Sequence, residues 1–470
     1  MRVSIIGTGY VGLTTGVCFA WLGHDVTCVD TDQAKVDSLA RGVPTIYEPF
    51  LDQFMAEARD HIRFTTSYAE AIPGSEVVFI AVGTPPGPGG SPDLRYLAAA
   101  AKAVGQNFDG DFTVVVNKST VPIGSGNWVD TLLCESWQEA HGSTARGQFS
   151  VASNPEFLRE GTAIHDTLYA DRVVIGSDTT RSLEVLYTLY RPILDQTFVP
   201  PTYLPRPEDL GAVPLVSTDL ASAELIKYAA NAFLALKISY INEIGLLAEK
   251  VGADITQVAK GIGLDARIGS RFLQAGLGWG GSCFGKDTAA LVSTAAEYGL
   301  KMHIVEAAQT VNARQRERVV EKLLGELKIL KGRTIALLGL AFKPNTDDLR
   351  EAPAVAIAKQ LLDRGCRVKV HDPVALDRFR REYADLVPRG VVCCETPEQT
   401  VEAADAAVLV TEWPQYRDMN WETVAPSMRT RLLLDGRNVL DRARLTRAGF
   451  HCLTMNGDIQ VPAESAVGQV

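Results

Sequence analysis

No two cysteines in the chain are spaced as C-x-x-C, and its eight cysteines share no metal-type spacing with its seven histidines. That excludes the common zinc frameworks and dithiol redox pairs, and it predicts reduced thiols, no metal and a cytoplasmic protein. Basic charge is also scarce: 46 Lys and Arg stand against 56 Asp and Glu, for a formal net charge of −10. Such a balance argues against nucleic acid or an anionic membrane surface as partner. No uninterrupted apolar run approaches bilayer length, so a membrane partner is not expected. The opening MRVSIIGTGYVGLTTGVCFAWLG begins like a secretion signal, but glycines at 7, 9, 12 and 16 interrupt it. A charged, strand-like segment follows, which marks folded structure instead.

What is present is a soluble globular composition, 46% hydrophobic and 22% charged over 470 residues, enough for a large core and roughly three domains. Short apolar runs at 3–6, 24–30, 77–82, 113–117, 150–152 and 173–175 alternate with helical segments, which predicts a parallel sheet covered on both faces. The proline-rich stretch 196–217 (QTFVPPTYLPRPEDLGAVPLVS) breaks this alternation. A long helix is expected in LASAELIKYAANAFLALKISYINEIGLLAEKVG, whose apolar residues recur at helical intervals. It is long enough to join domains and to offer a dimer face. A second alternation starts near residue 333: RTIALLGLAF resembles the opening strand and turn, and CRVKVHDP resembles HDVTCVDTD. The reading is α/β, with two Rossmann-like doubly wound parallel-sheet domains joined by a long central helix and helical connector. Its boundaries are 1–210 for a first Rossmann-like domain, 211–328 for a helical dimerisation domain, 329–455 for a second Rossmann-like domain, and 456–470 for a disordered tail.

Gly7-Thr8-Gly9-Tyr10-Val11-Gly12 fits G-x-G-x-x-G directly after a strand and before a helix. Gly7 serves the tight turn, Gly9 the approach of a pyrophosphate, and Gly12 close helix–strand packing. The amides at the helix start, Tyr10 and Val11 among them, face an anion at the positive helix end. Asp30 ends the second strand, where a carboxylate accepts the ribose hydroxyls and repels a 2′-phosphate, favouring NAD over NADP. A solvated Asp closing a loop is the plainer alternative. Lys35 lies near enough for a polar contact, or is a surface lysine. Val82-Gly83-Thr84-Pro85 and Ser119-Thr120-Val121-Pro122 follow later strands at the carboxyl ends where ligands collect, which makes Thr84 and Thr120 cofactor candidates.

The stretch GLGWGGSCFGKD places Cys283 just before a helical run, with glycines at 276, 278, 280 and 281 and a Lys286-Asp287 pair. A helix N-terminus and a nearby cation favour thiolate, and the glycines are expected to let backbone amides close around a ligand. A buried core cysteine is the alternative. In an NAD enzyme a thiolate can capture an aldehyde as a thiohemiacetal, lose a second hydride to become a thioester, and release a carboxylate to water.

The stretches GTGYVG, VGTP, KSTVP, SNPEFLREG, ELIKYAANAFLALKISYINEI, GIGLDARIG, GWGGSCFGKD, AFKPNTDDLRE and DGRN together resemble the UDP-glucose/GDP-mannose dehydrogenase family, in the family's order and over nearly the whole length. The resemblance implies four-electron oxidation of UDP-glucose to UDP-glucuronate with two NAD reduced, in a homodimer. It makes Cys283 the nucleophile. Lys227 and Asn231, four apart on one helix face, are assigned to the sugar oxygen, where a cation and an amide stabilise negative charge. By the same likeness Glu156 contacts substrate and acts as base in thioester hydrolysis, Glu160 lies near cofactor and substrate, and Phe157, Leu158 and Arg159 line the substrate between them. Taken alone, glutamates four apart read as a solvated helix face. Thr120 and Asp287 are implied to orient the attacking water, and Asp287 equally suits a first helical turn. For substrate holding the likeness points to Phe272, Leu273, Gln274, Ala275, Gly276, Gly280, Lys343 and Arg437, with Arg267 reaching a neighbouring subunit. Lys286 and Arg350 are implied to approach NAD.

Trp279 stands where Phe or Tyr is commoner, keeping an aromatic wall. Gly285 stands where Pro is commoner, which is expected to loosen the turn before Lys286. The same chemistry on GDP-mannose or UDP-N-acetylmannosamine stays open. So do a catalytically silent nucleotide-sugar and NAD scaffold, and a single-step hydroxyacid dehydrogenase. Segments 141–148 and 196–214 have no functional counterpart in this reading.

Overall fold

The computed structural model describes residues 1–145 and 147–456. Of the expected tail only Asn456 is described, and its side chain is buried; the rest lies outside the described residues, as does Arg146 of the 141–148 segment. The chain forms two compact units. The first comprises Met1–Ala230 with Ala289–Lys301, and the second Asn231–Thr288 with the chain from Met302 on.

The first unit is built on eight strands: β1 (Arg2–Ile6), β2 (Asp25–Val29), β3 (Ile62–Thr65), β4 (Val77–Ile80), β5 (Thr113–Asn117), β6 (Phe149–Ser153), β7 (Val173–Ser177) and β8 (Leu215–Thr218), in the order β3-β2-β1-β4-β5-β6-β7-β8. Residues of β4 and β5 are buried throughout, as both faces are covered by helices. Parallel pairing fails at one place: β6 and β7 run antiparallel, with Ala152 opposite Ser177. The strand β8 was not anticipated. It lies at the proline-free end of the stretch read as breaking the pattern, and it pairs parallel to β7 from Leu215 opposite Val173. Pro214 sits just outside it and contributes only its carbonyl, to the Val173 amide at 2.9 Å.

Sheet order in the second unit is β11-β10-β9-β12-β13-β14, all parallel, from β9 (Thr334–Leu338), β10 (Arg367–His371), β11 (Val391–Cys393), β12 (Ala406–Leu409), β13 (Leu432–Asp435) and β14 (His451–Thr454). This is the doubly wound order, reversing between β9 and β12, where ligands collect beyond the strand ends. Leu220–Val251 forms one helix of 32 residues, as its apolar periodicity predicts. Helices Ile255–Gly263, Phe284–Glu297 and His303–Leu327 follow. Among the described residues no helix is long and apolar enough to cross a membrane. No disulfide joins the eight cysteines.

Candidate active site

The dinucleotide turn of the first unit has the geometry its glycines require. Gly7 has φ +99°, and a Cβ there would lie 2.7 Å from the Ala81 carbonyl oxygen. At Gly12 a Cβ would stand 1.9 Å from the Gly7 carbonyl oxygen, so the helix Tyr10–Trp21 can approach β1 only without a side chain. Gly9 differs: nothing lies within 4 Å of its Cβ position, leaving the backbone open to a ligand. Asp30, directly after β2, accepts from the Thr8 amide at 2.9 Å and hydroxyl at 2.6 Å, and from the Asp32 amide at 3.1 Å. Burial raises its pKa, but the Thr8 and Asp32 hydrogen bonds and Lys35, 3.9 Å away, outweigh burial and hold it below the usual range. An open glycine, helix-end amides and an ionised carboxylate fit NAD.

Tyr10 has a second attachment. Its hydroxyl donates to the Glu48 carboxylate and accepts from the Gly161 amide at 2.6 Å. Buried Glu48 also takes the Gly161 amide at 2.7 Å and the Ala163 amide at 2.6 Å, capping the segment that follows Glu160. Glu48 was missed in the sequence; a charged residue in IYEPF carries no periodic signal.

Lys118, Ser119 and Thr120 follow β5, and Asn154-Pro155-Glu156 follows β6. A small pocket is lined there by Asn117, Ser119, Thr120, Ser153, Pro155, Glu224 and Lys227, among others. Thr84 donates to the Thr120 carbonyl at 2.9 Å, so two of the expected residues do meet. Lys227 and Glu156 are both buried, and Lys227 Nζ reaches Glu156 Oε1 at 2.8 Å and its carbonyl oxygen at 2.6 Å. Burial raises the Glu156 pKa, but Lys227, the Leu158 amide and Lys118 outweigh it and hold the carboxyl below its ordinary value. The helix-face reading of Glu156 and Glu160 fails, since residues 154–159 form no helix. Phe157 stacks under Arg172, 3.7 Å from the ring centroid, and Arg159 pairs with Asp166 at 2.7 Å. Glu224, unforeseen, accepts from the Gly124 and Gly126 amides at 2.7 and 2.9 Å and from Ser153 at 3.1 Å. It ties the start of the long helix to the loop after Thr120. An acid three residues before Lys227 in a small-residue helix was the available signal.

In the second unit Cys283 immediately precedes the helix Phe284–Glu297 and is partly exposed. Its carbonyl accepts the Asp287 amide at 2.8 Å. Asp287 is completely buried, with one carboxylate oxygen taking Asn231 Nδ2 at 2.6 Å and the other Lys286 Nζ at 2.6 Å. An uncompensated carboxylate there would be costly, so this arrangement fixes both partners beside the thiol's helix.

The glycine ring has a packing role that the sequence did not disclose. Cβ atoms at Gly276, Gly278 and Gly280 would lie 2.5, 2.2 and 2.4 Å from Gly436 oxygen, Asn312 Oδ1 and Glu351 oxygen, and one at Gly281 2.8 Å from the Phe342 ring. These glycines let the loop press against the protein's own backbone and side chains. Gly285 lies inside the helix, not in a turn before it. Trp279 does form a buried wall, its indole donating to Ser239 at 3.1 Å.

Arg437 is fastened to the same loop, donating to Val410 oxygen at 2.7 Å and to Gly278 and Phe342 oxygens at 3.3 Å. Lys343 Nζ lies 5.3 Å from the Phe342 centroid, and Gly276 donates to Asn242 Oδ1 at 2.8 Å. Leu273 and Ala275 are buried, Phe272 has φ +65°, and Gln274 is exposed. Arg350 pairs with Asp348 at 2.8 Å, and exposed Arg267 pairs with Asp265 at 2.6 Å. Asp372 after β10 stands where Asp30 stands after β2. It is buried and accepts from the Leu340, Ala341, Val374 and Ala375 amides at 2.7 to 3.0 Å. That carboxylate closes its own turn. Among the described residues no cluster of His, Cys, Asp or Glu is arranged to hold a metal.

Residues 1–194 match the UDP-glucose/GDP-mannose dehydrogenase family, NAD binding domain; 221–314 match its central domain and 336–442 its UDP binding domain. A UDP-glucose 6-dehydrogenase of Rhizobium meliloti is 44% identical, covering 96% of this chain and 98% of that protein. Among solved structures, a UDP-glucose dehydrogenase from Pyrobaculum islandicum is 40% identical with TM-score 0.86, covering 97% of this chain and 98% of that one. A UDP-D-ManNAc dehydrogenase from Pyrococcus horikoshii is 27% identical with TM-score 0.81, covering 97% and 99%. With three consecutive domain matches and a near full-length relative, the chain belongs to the UDP-glucose/GDP-mannose dehydrogenase family.

Proposed function

We propose that this NAD-dependent oxidoreductase converts UDP-glucose to UDP-glucuronate in two successive oxidations, reducing two NAD. The observation that carries the reading is Cys283 at the head of a helix whose first turn holds Asp287 between Asn231 and Lys286. NAD, when bound, supplies the hydride acceptor for both oxidations. Gly9, the amides of Tyr10 and Val11, Asp30 and Lys35 hold it, and Thr84, Thr120, Glu160, Lys286 and Arg350 complete its surroundings.

Lys227 and Asn231 stabilise the sugar oxygen as negative charge develops. The Cys283 sulfur adds to the aldehyde carbon, giving a thiohemiacetal that keeps the half-oxidised sugar in place. Loss of the second hydride leaves a thioester on Cys283. Water then adds to it, the carbon–sulfur bond breaks, and a carboxylate departs with the thiol restored. Glu156 accepts the proton of that water. While paired with Lys227 it is a weak acceptor, because the ammonium favours its ionised form. When Lys227 turns to the sugar oxygen, Glu156 regains basicity at the stage that needs it. Thr120 and Asp287 orient the water.

Phe157, Leu158, Arg159, the 272–276 segment, Gly280, Lys343 and Arg437 are assigned to the nucleotide sugar, and Arg267 to a neighbouring subunit's site. The division at 1–210, 211–328 and 329–455 and a cytoplasmic location belong to the same reading. A homodimer through the long helix is supported by Phe233, Tyr240 and Leu247, exposed apolar residues seven apart on one face. UDP-glucose is preferred to UDP-N-acetylmannosamine because the neighbour named for the first is 40% identical and the one named for the second 27%. Counting NADH formed per UDP-glucose tests the proposal. Two are expected; one, or turnover confined to GDP-mannose or UDP-N-acetylmannosamine, overturns it.

A further inference from the structure

Lys118 has no role in the chemistry above, yet it is a buried charge beside it. It follows β5 and directly precedes Ser119 and Thr120. Its ammonium donates to Asn154 Oδ1 at 3.0 Å and to the Tyr190 hydroxyl at 3.3 Å, and stands 5.8 Å from the Phe79 ring centroid. Tyr190 donates to the same Asn154 oxygen, while Asn154 Nδ2 donates to the Val174 carbonyl at 2.7 Å. Both acceptors of the ammonium are neutral. A buried cation with neutral acceptors and aromatic walls costs stability, and packing alone would be served by methionine of similar length. The charge therefore calls for a use.

Burial pulls the Lys118 pKa down to about 8, with Glu156 raising it and Lys227 lowering it further. Lys118 in turn helps to lower that of Glu156. The titratable groups that act on it are Glu156 after β6 and Lys227 on the long helix, with Tyr190 on the helix Thr180–Leu194 accepting from it. Asn154 lies two residues before Glu156, so one lysine both anchors the turn that presents the carboxylate and acts on its charge.

We propose that Lys118 is a positioning residue for the Glu156–Lys227 pair, a buried ammonium that fixes the turn before Glu156 through Asn154 and supplies a second positive charge that stays when Lys227 engages substrate. It rests on the reading of Glu156 and Lys227 given above. Without Lys118, Glu156 and Lys227 would face each other with no fixed charge behind them, and both would hold protons to higher pH.

The test follows protonation directly and needs no substrate. In protein labelled with carbon-13 at the Glu carboxyls, Glu156 is identified by the signal lost in Glu156→Gln, and its titration is compared between the parent chain and Lys118→Met. The expected result is a fall of about threefold or more in the Glu156 acid dissociation constant, with Lys118→Arg restoring the parent midpoint and Tyr190→Phe, which keeps the charge, leaving it near the parent. The reciprocal measurement uses no Lys118 variant: in Glu156→Gln the lysine signal that titrates near 8 in the parent moves lower by a similar factor. A Glu156 midpoint unmoved in Lys118→Met overturns the proposal, and should that variant fail to fold, an unmoved Lys118 midpoint in Glu156→Gln does so. An active parent that forms other than two NADH per UDP-glucose overturns the functional reading instead, and the NMR result is read independently of it.

Discussion

Lys227 holds Glu156 at two atoms, its Nζ 2.6 Å from the backbone carbonyl oxygen and 2.8 Å from Oε1, with both side chains buried. Removing one partner leaves the other charged and desolvated. Lys227→Met should therefore lose about 3–5 kcal/mol of stability and about 10²–10³-fold in kcat. The double variant with Glu156→Gln should regain most of the stability and none of the rate. Thermal melts and steady-state kinetics on the three proteins check this; a double variant as unstable as the single one would show that the pair is not what holds Lys227.

The same pair sets a pH response. Glu156 has a folded pKa below its ordinary 4.5, so the unfolded chain binds its proton first as pH falls. Its contribution is complete above pH 4.5 and is lost as pH drops through the lowered folded value. Acid unfolding of Glu156→Gln should be correspondingly less steep in that window, measured by circular dichroism against pH.

Cys283→Ser should abolish NADH formation beyond the first hydride while leaving UDP-glucose binding unchanged by calorimetry. The hydroxyl is a much weaker nucleophile and forms no stable thioester equivalent. Normal two-NADH turnover in this variant would remove Cys283 from the mechanism.

Glycines near the sites separate into those the fold requires and those a ligand requires. Gly12→Ala and Gly280→Ala meet backbone oxygens at 1.9 and 2.4 Å and should cost about 1–3 kcal/mol or more. Gly9→Ala meets nothing within 4 Å and should melt as the parent does while binding NAD more weakly. Differential scanning calorimetry with and without NAD distinguishes them.

Gly285 lies inside its helix, and a Cβ placed on it would meet nothing nearer than 3.7 Å. As Ala it should gain up to about 0.5 kcal/mol, less than at a mid-helix position because it stands in the first turn. The gain is read as a higher melting temperature, with kcat kept if the residue has no part beyond the helix.

How much could be read from the chain depended on whether a residue's neighbours are local. The fingerprint at Gly7–Gly12, the strand that ends before Asp30 and the long helix around Lys227 are set by short-range spacing, and each was legible. β8 was hidden by the prolines around it, and the antiparallel pairing of β6 with β7 leaves no periodic trace. Glu48, Lys118 and Glu224 were missed because their partners lie 36 to 115 residues away. The glycines around Cys283 were legible as a loop but their packing role was not, since what they press against, Gly436, Glu351 and Phe342, lies far along the chain.

The two sheets repeat one turn, Gly7 donating to Val29 oxygen at 2.7 Å and Gly339 to His371 oxygen at 2.9 Å, but Asp372 is saturated by amides where Asp30 is not. Dinucleotide accordingly falls, on the proposed reading, at the first of these turns. On the mechanism proposed above, spent coenzyme is exchanged for fresh between the two oxidations, and the bond to Cys283 keeps the sugar from escaping during that interval.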